Sequence, residues 1–168
     1  MRVHDLSPAN PLPPQPQEPP LREDRFNYTP VSGSVSLARH RTARLIAEWG
    51  HPELAWTTAL VVSELGTNAL LHGCLRDRLF QVAIVLRPAL FRIEVSDPRG
   101  ERWPTLRAAE DAECFGRGLP LVVEVTDRWG AEPRSIGKTV YAEIDLHPRP
   151  QPQQHPEPKP KPTTRPPR

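Results

Sequence analysis

Between residues 34 and 49, Val35, Leu37, Ala38, Leu45, Ile46 and Trp49 fall largely on one stripe, while Arg39, Arg41, Arg44 and Glu48 fall elsewhere. That period predicts an amphipathic helix over 34–49. Gly50 can end it, and Pro52 bars its continuation. A second helix is predicted over 53–72, with Leu54, Val61, Leu65 and Ala69 as its buried side and Gly73 after its end. The pattern then changes. Residues 79–86 and 90–95 alternate or run apolar with β-branched side chains, and Arg87-Pro88-Ala89 between them marks a hairpin.

A loop without clear periodicity is predicted from Asp97 to about residue 115. A short helix follows over 119–124, then two strands over 127–131 and 138–146 separated by Glu132-Pro133-Arg134-Ser135. Residues 24–30 read as a short edge strand at the start. Strands joined by short turns favour a mostly antiparallel, mixed sheet with helices on one face, a two-layer α/β sandwich. A doubly wound sheet does not fit this order.

Composition sets the limits of the folding unit. Of the 23 prolines, eight lie in residues 1–30 and nine in residues 148–168. Segments of that kind bury too little apolar surface to offset their ordering entropy. Residues 1–23 and 148–168 are therefore expected to be disordered flanks around one domain over 24–147. The net charge is only +2. The C-terminal flank is basic, with Arg149, Lys159, Lys161, Arg165 and Arg168 against Glu157 alone. The rest is not basic, and no helix carries a row of Arg and Lys, which argues against a dedicated nucleic-acid binder. Cys74 and Cys114 have no metal-type spacing. No run of 18 apolar residues and no signal peptide is apparent, so a cytoplasmic protein with reduced thiols and no membrane association is expected.

Four features could carry chemistry. Glu64 and Asn68 are four apart on a helix and so share a face, with His72 four further on. A carboxylate there can act as a base, and an amide carbonyl is a hard oxygen ligand suited to Mg2+. On spacing alone, a solvated polar face explains the pair better, since polar pairs four apart are commonplace. Asp97 ends an apolar strand and enters a loop containing Gly100. Such a carboxylate can accept a hydrogen bond from an exocyclic amine, although Asp-Pro is also a common turn starter. Gly116-Arg117-Gly118 precedes a helix, so its backbone amides and Arg117 could hold an anion. Gly137-Lys138-Thr139 is not a phosphate loop, because Glu132 stands where that pattern needs glycine and a strand follows.

Order and spacing unite these features. Ser63-Glu64-Leu65-Gly66-Thr67-Asn68-Ala69-Leu70-Leu71-His72-Gly73 resembles the N box of the gyrase and histidine-kinase ATPase superfamily, the Bergerat fold. Ile93-Glu94-Val95-Ser96-Asp97-Pro98-Arg99-Gly100 is similar to its first glycine box, and Gly116-Arg117-Gly118-Leu119-Pro120-Leu121-Val122 to its second. Gly137-Lys138-Thr139-Val140-Tyr141-Ala142-Glu143-Ile144 resembles the closing strand with its threonine. The short domain and the Gly-Arg-Gly-Leu form look like the anti-sigma factor serine kinases and their actinobacterial relatives.

That resemblance implies ATP held between the sheet and a lid over 101–115. It implies Asn68 as the Mg2+ ligand and Glu64 as the base for an attacking serine hydroxyl. Asp97 would bind the adenine amine, with Thr139 assisting through water, beside Gly100. Gly116, Arg117 and Gly118 would contact the phosphates. The implied partners are a sigma factor and an antagonist protein, with a homodimer allowed. The sequence departs from the pattern in keeping only Gly100 after Asp97, in Pro98, and in Leu71 where a basic residue is common.

Overall fold

A computed structural model describes residues 19–75, 78–104 and 118–146. The expectations for residues 1–18 and 147–168 and for most of the lid lie outside the described residues. The elements follow in the order β1 (Arg22–Tyr28), α1 (Ser32–Glu48), α2 (Ala55–Asn68), β2 (Phe80–Arg87), β3 (Leu90–Asp97), α3 (Gly118–Val125), β4 (Arg128–Pro133) and β5 (Lys138–Asp145). The strands form one sheet in the order β1-β2-β3-β5-β4, and every pairing is antiparallel. The mixed character expected from the sequence is thus absent from this sheet. The α/β sandwich is as expected.

α1 buries Val35, Ala38, Thr42 and Ile46 at steps of three or four residues, one stripe of a 3.6-residue period. Leu37, expected on that stripe, is instead 67% exposed. It sits two residues past Val35, roughly 200° around the helix, so the core cannot reach it. The helix ends as anticipated at Gly50, whose φ of 101° suits a residue without Cβ. Gly50 N–H donates to Ala47 O and His51 N–H to Ile46 O, the paired bonds of a Schellman ending.

The single helix expected over 53–72 is three pieces. A 3-10 turn (Pro52–Leu54) leads into α2, and a π-helical turn (Ala69–Gly73) closes it. Val61, Val62 and Leu65 of α2 are buried, as is Ala69 in the π turn. The stretch Pro52–Gly73 is long and apolar enough to cross a bilayer by length and composition. Here Val61, Val62, Leu65 and Ala69 are part of the domain core, while Trp56 and Leu71 are exposed.

That core lies between the helices and one face of the sheet. β2 contributes Phe80, Val82, Ile84 and Leu86, β3 contributes Phe91, Ile93 and Val95, and β5 contributes Val140, Ala142 and Ile144. Val122 of α3 and Ile46 of α1 complete it. Phe80, Phe91, Ile84 and Ile93 are fully buried, each stabilising by about 1.5–3 kcal/mol relative to exposure. Residues of opposite parity on the same strands, such as Arg92, Glu94 and Glu143, face away from the helices. The hairpin β2–β3 turns at Pro88-Ala89, with Arg87 opposite Leu90. β3 therefore runs through the middle of the sheet, and its last residue, Asp97, emerges beside the end of the α2 segment.

Candidate active site

Asp97 is the best-defined residue of the site. Its position in β3 has the parity of Ile93 and Val95, so it faces the helices, and it is only 4% exposed. Three glycines enclose it. A Cβ on Gly73, the last residue of the π turn, would lie 2.2 Å from the Asp97 Cγ. Only glycine lets the helix end approach the carboxylate this closely. Gly137, at φ 83°, packs its Cα against the Asp97 carbonyl, where a Cβ would fall 1.9 Å from the oxygen. Gly100 lies against Gly137 in turn, its would-be Cβ 3.3 Å from the Gly137 carbonyl oxygen.

The carboxylate is held from one side. Lys138 Nζ lies 2.9 Å from Asp97 Oδ1 and also donates to Arg99 O at 2.8 Å. The Arg99 backbone N–H donates to the same Oδ1 at 2.9 Å. Oδ2 receives no hydrogen bond among the described residues. A buried carboxylate with one oxygen fixed and the other open is suited to accept a hydrogen bond from an amine. Cys74 is the neighbouring thiol; burial pushes its pKa up, and the Asp97 charge adds to that, so it stays protonated.

Lys138 is the residue that reasoning from the sequence missed. It shares strand parity with Val140, Ala142 and Ile144, so it points into the helix-facing layer. A lysine there needs a partner, and that requirement was legible in the sequence. Thr139 is placed on the opposite face. Its hydroxyl is hydrogen-bonded to Ser96 at 2.7 Å, and the two residues are directly opposed in the ladder. The structure therefore brings Lys138, and not Thr139, to Asp97. One residue of register along β5 makes the difference.

Glu64 and Asn68 do share one side of α2, and both are half-buried. Neither side chain makes a hydrogen bond or ion pair among the described residues. Glu64 lies against the start of α3: a Cβ on Gly118 would be 2.4 Å from its Oε2. Gly118 is thus brought to Glu64, at a helix N-terminus whose amides favour negative charge. Gly116 and Arg117 lie outside the described residues. His72 is exposed, because the π turn changes the residues per turn and breaks the spacing of four. Gly66 is accounted for by packing, with its would-be Cβ 3.3 Å from Val35 Cγ1 of α1.

The residue types in these two clusters, Asp97 with its glycines and Glu64 and Asn68 with Gly118, fit a magnesium nucleotide. Asp97 Oδ2 offers an acceptor for a base amine, and the Gly118 end of α3 offers amides to phosphate. Among the described residues no group of three His, Cys, Asp or Glu could hold a metal by itself. Mg2+ would rest on the Asn68 carbonyl together with phosphate oxygens and water, as this reluctantly dehydrated ion commonly does. It would neutralise phosphate charge.

No curated protein matches the chain. Residues 29–144, well over half of the chain and nearly all of the described fold, match the family model of the histidine kinase-like ATPase domain. The matched span runs from the residue after β1 to the end of the core-facing part of β5, and so contains Glu64, Asn68, Asp97, Gly118 and Lys138. The chain belongs to the histidine kinase-like ATPase domain family.

Proposed function

We propose that the protein binds ATP with Mg2+ and acts as an anti-sigma factor serine/threonine kinase. It would hold a sigma factor in one state and phosphorylate an antagonist protein in another, in a cytoplasmic partner-switching circuit. One observation carries the kinase part. The carboxylate of Glu64, free of any partner among the described residues, lies against Gly118 at the N-terminal end of α3. That contact supports reading Glu64 as a base beside the place where phosphate would be held.

Glu64 takes the proton from the acceptor serine hydroxyl as its oxygen bonds to the γ-phosphorus. The bond from that phosphorus to the bridging oxygen breaks, and ADP leaves. Asn68 would hold the metal, Asp97 would orient the adenine, and Gly116, Arg117 and Gly118 would receive the phosphates. Phosphoryl transfer asks mainly for such positioning and charge neutralisation. Closure of residues 101–115 would exclude water and favour transfer to protein over hydrolysis.

The test uses the full chain with labelled ATP, Mg2+ and candidate antagonist proteins from its own genome. Wild type is expected to label an antagonist on serine or threonine. Glu64→Ala is expected to keep its calorimetric ATP affinity and lose the label. ATP binding with no labelled protein would overturn the kinase and leave a nucleotide-sensing module. An unchanged ATP affinity in Asp97→Asn would overturn the pocket itself.

A further inference from the structure

Lys138 is 4% exposed and sits on the core-facing side of β5, where an unpaired ammonium would be strongly unfavourable. Its Nζ has two acceptors, Asp97 Oδ1 at 2.9 Å and Arg99 O at 2.8 Å. An ammonium carries three N–H donors. The third finds no acceptor among the described residues. Asp97 has the complementary surplus, since Oδ1 takes both Lys138 and the Arg99 amide while Oδ2 takes neither. One carboxylate therefore lies between an acceptor and a donor that have no partner among the described residues.

We infer that Lys138 reads the nucleotide base directly, donating its third N–H to adenine N1 while Asp97 Oδ2 accepts from the exocyclic amine. The inference rests on the nucleotide-binding reading above and assigns a specificity-determining role to a residue beyond Asp97. Adenine presents a donor at its amine next to an acceptor at N1, the complement of Oδ2 and Nζ. Hypoxanthine in the same pose presents an acceptor next to a donor and opposes both groups. Thr139 cannot supply this contact, because it is bonded to Ser96 on the other face of the sheet.

The experiment is calorimetry on the full chain with Mg2+, comparing ATP with the analogue in which N1 is replaced by C–H. In wild type, losing a hydrogen bond to a charged donor is expected to weaken binding about 10- to 100-fold. In Lys138→Met the analogue and ATP are expected to bind within about threefold of each other, whatever the absolute affinity. Lys138→Gln is made alongside, because its amide can still satisfy Asp97 Oδ1 if the Met variant does not fold; it too should lose most of the discrimination. A merely structural lysine would lower both affinities together and leave their ratio as in wild type, and that result overturns the inference while ATP binding stands. A wild type that binds no ATP overturns the nucleotide reading and this inference with it.

Discussion

A single hydrogen at Gly73 decides whether Asp97 can occupy its place. The Asp97 carboxylate cannot simply swing away from a new methyl group, since Oδ1 is tied to Lys138 and to the Arg99 amide. Gly73→Ala is therefore expected to weaken ATP binding by about tenfold or more in calorimetry, the scale of one charged hydrogen bond. Gly118→Ala is a contrasting case. Its methyl would meet Glu64 Oε2, the far end of a flexible side chain, at 2.4 Å. Glu64 can turn aside cheaply, so folding and ATP affinity are expected to hold while kcat for phosphoryl transfer falls; a changed KM with unchanged kcat would contradict the base assignment. At this scale Glu64, Asn68 and Asp97 were visible in the sequence, but spacing alone suited a solvated helix face and a turn. It was the order of the four motifs that singled them out. The sequence concealed Lys138 behind the more conspicuous Thr139, although strand parity with Val140 and Ala142 points the lysine inward.

The elements that the sequence displayed well were those with one dominant period. α1 and the β2–β3 hairpin are where alternation and turn residues place them. The ends of α2 were not legible, since 3-10, α and π turns share nearly the same apolar spacing over one turn. Yet the π turn brings Gly73 against Asp97, so the part of the helix that periodicity could not resolve is the part that forms the site. The turn into β5 follows the same logic. Gly137 has φ 83° and packs on the Asp97 carbonyl, so a side chain there meets both backbone strain and a backbone atom that cannot move freely. Gly137→Ala is expected to destabilise the fold by roughly 1–3 kcal/mol, read as a lower urea midpoint at unchanged m-value. A midpoint equal to wild type would mean that the β4–β5 turn is not under this constraint.

Across the whole molecule, the sheet has two unlike faces, and the open one is stabilised by charge. Arg92 lies at its centre, 8% exposed, and its guanidinium reaches Glu94, Glu143 and Glu132 at 2.8–3.0 Å. Arg25 of β1 joins through Glu94, and Arg128 of β4 through Glu143. Ala83 and Val85 of β2 are buried on the same face. The Arg92 guanidinium also lies 3.7 Å from the centre of the Tyr141 ring, which itself lies over Gly130. Burial by itself would lower the Arg92 pKa, but the bonds from the glutamates outweigh it and hold the residue charged. Arg92→Leu would take the shared cation from Glu94 and Glu143, with side chains only 14% and 13% exposed, and leave each carboxylate with one more exposed arginine, Arg25 or Arg128. Losing the central cation while the outer arginines remain is expected to cost about 1.5–3 kcal/mol, whereas Glu132→Ala, at a side chain 52% exposed, is expected to cost under about 1 kcal/mol. Part of the Arg92→Leu loss should return in about 1 M salt, where the remaining repulsion is screened. Equal unfolding midpoints for the two variants would show that the open face owes its stability to its aliphatic stems and not to this network.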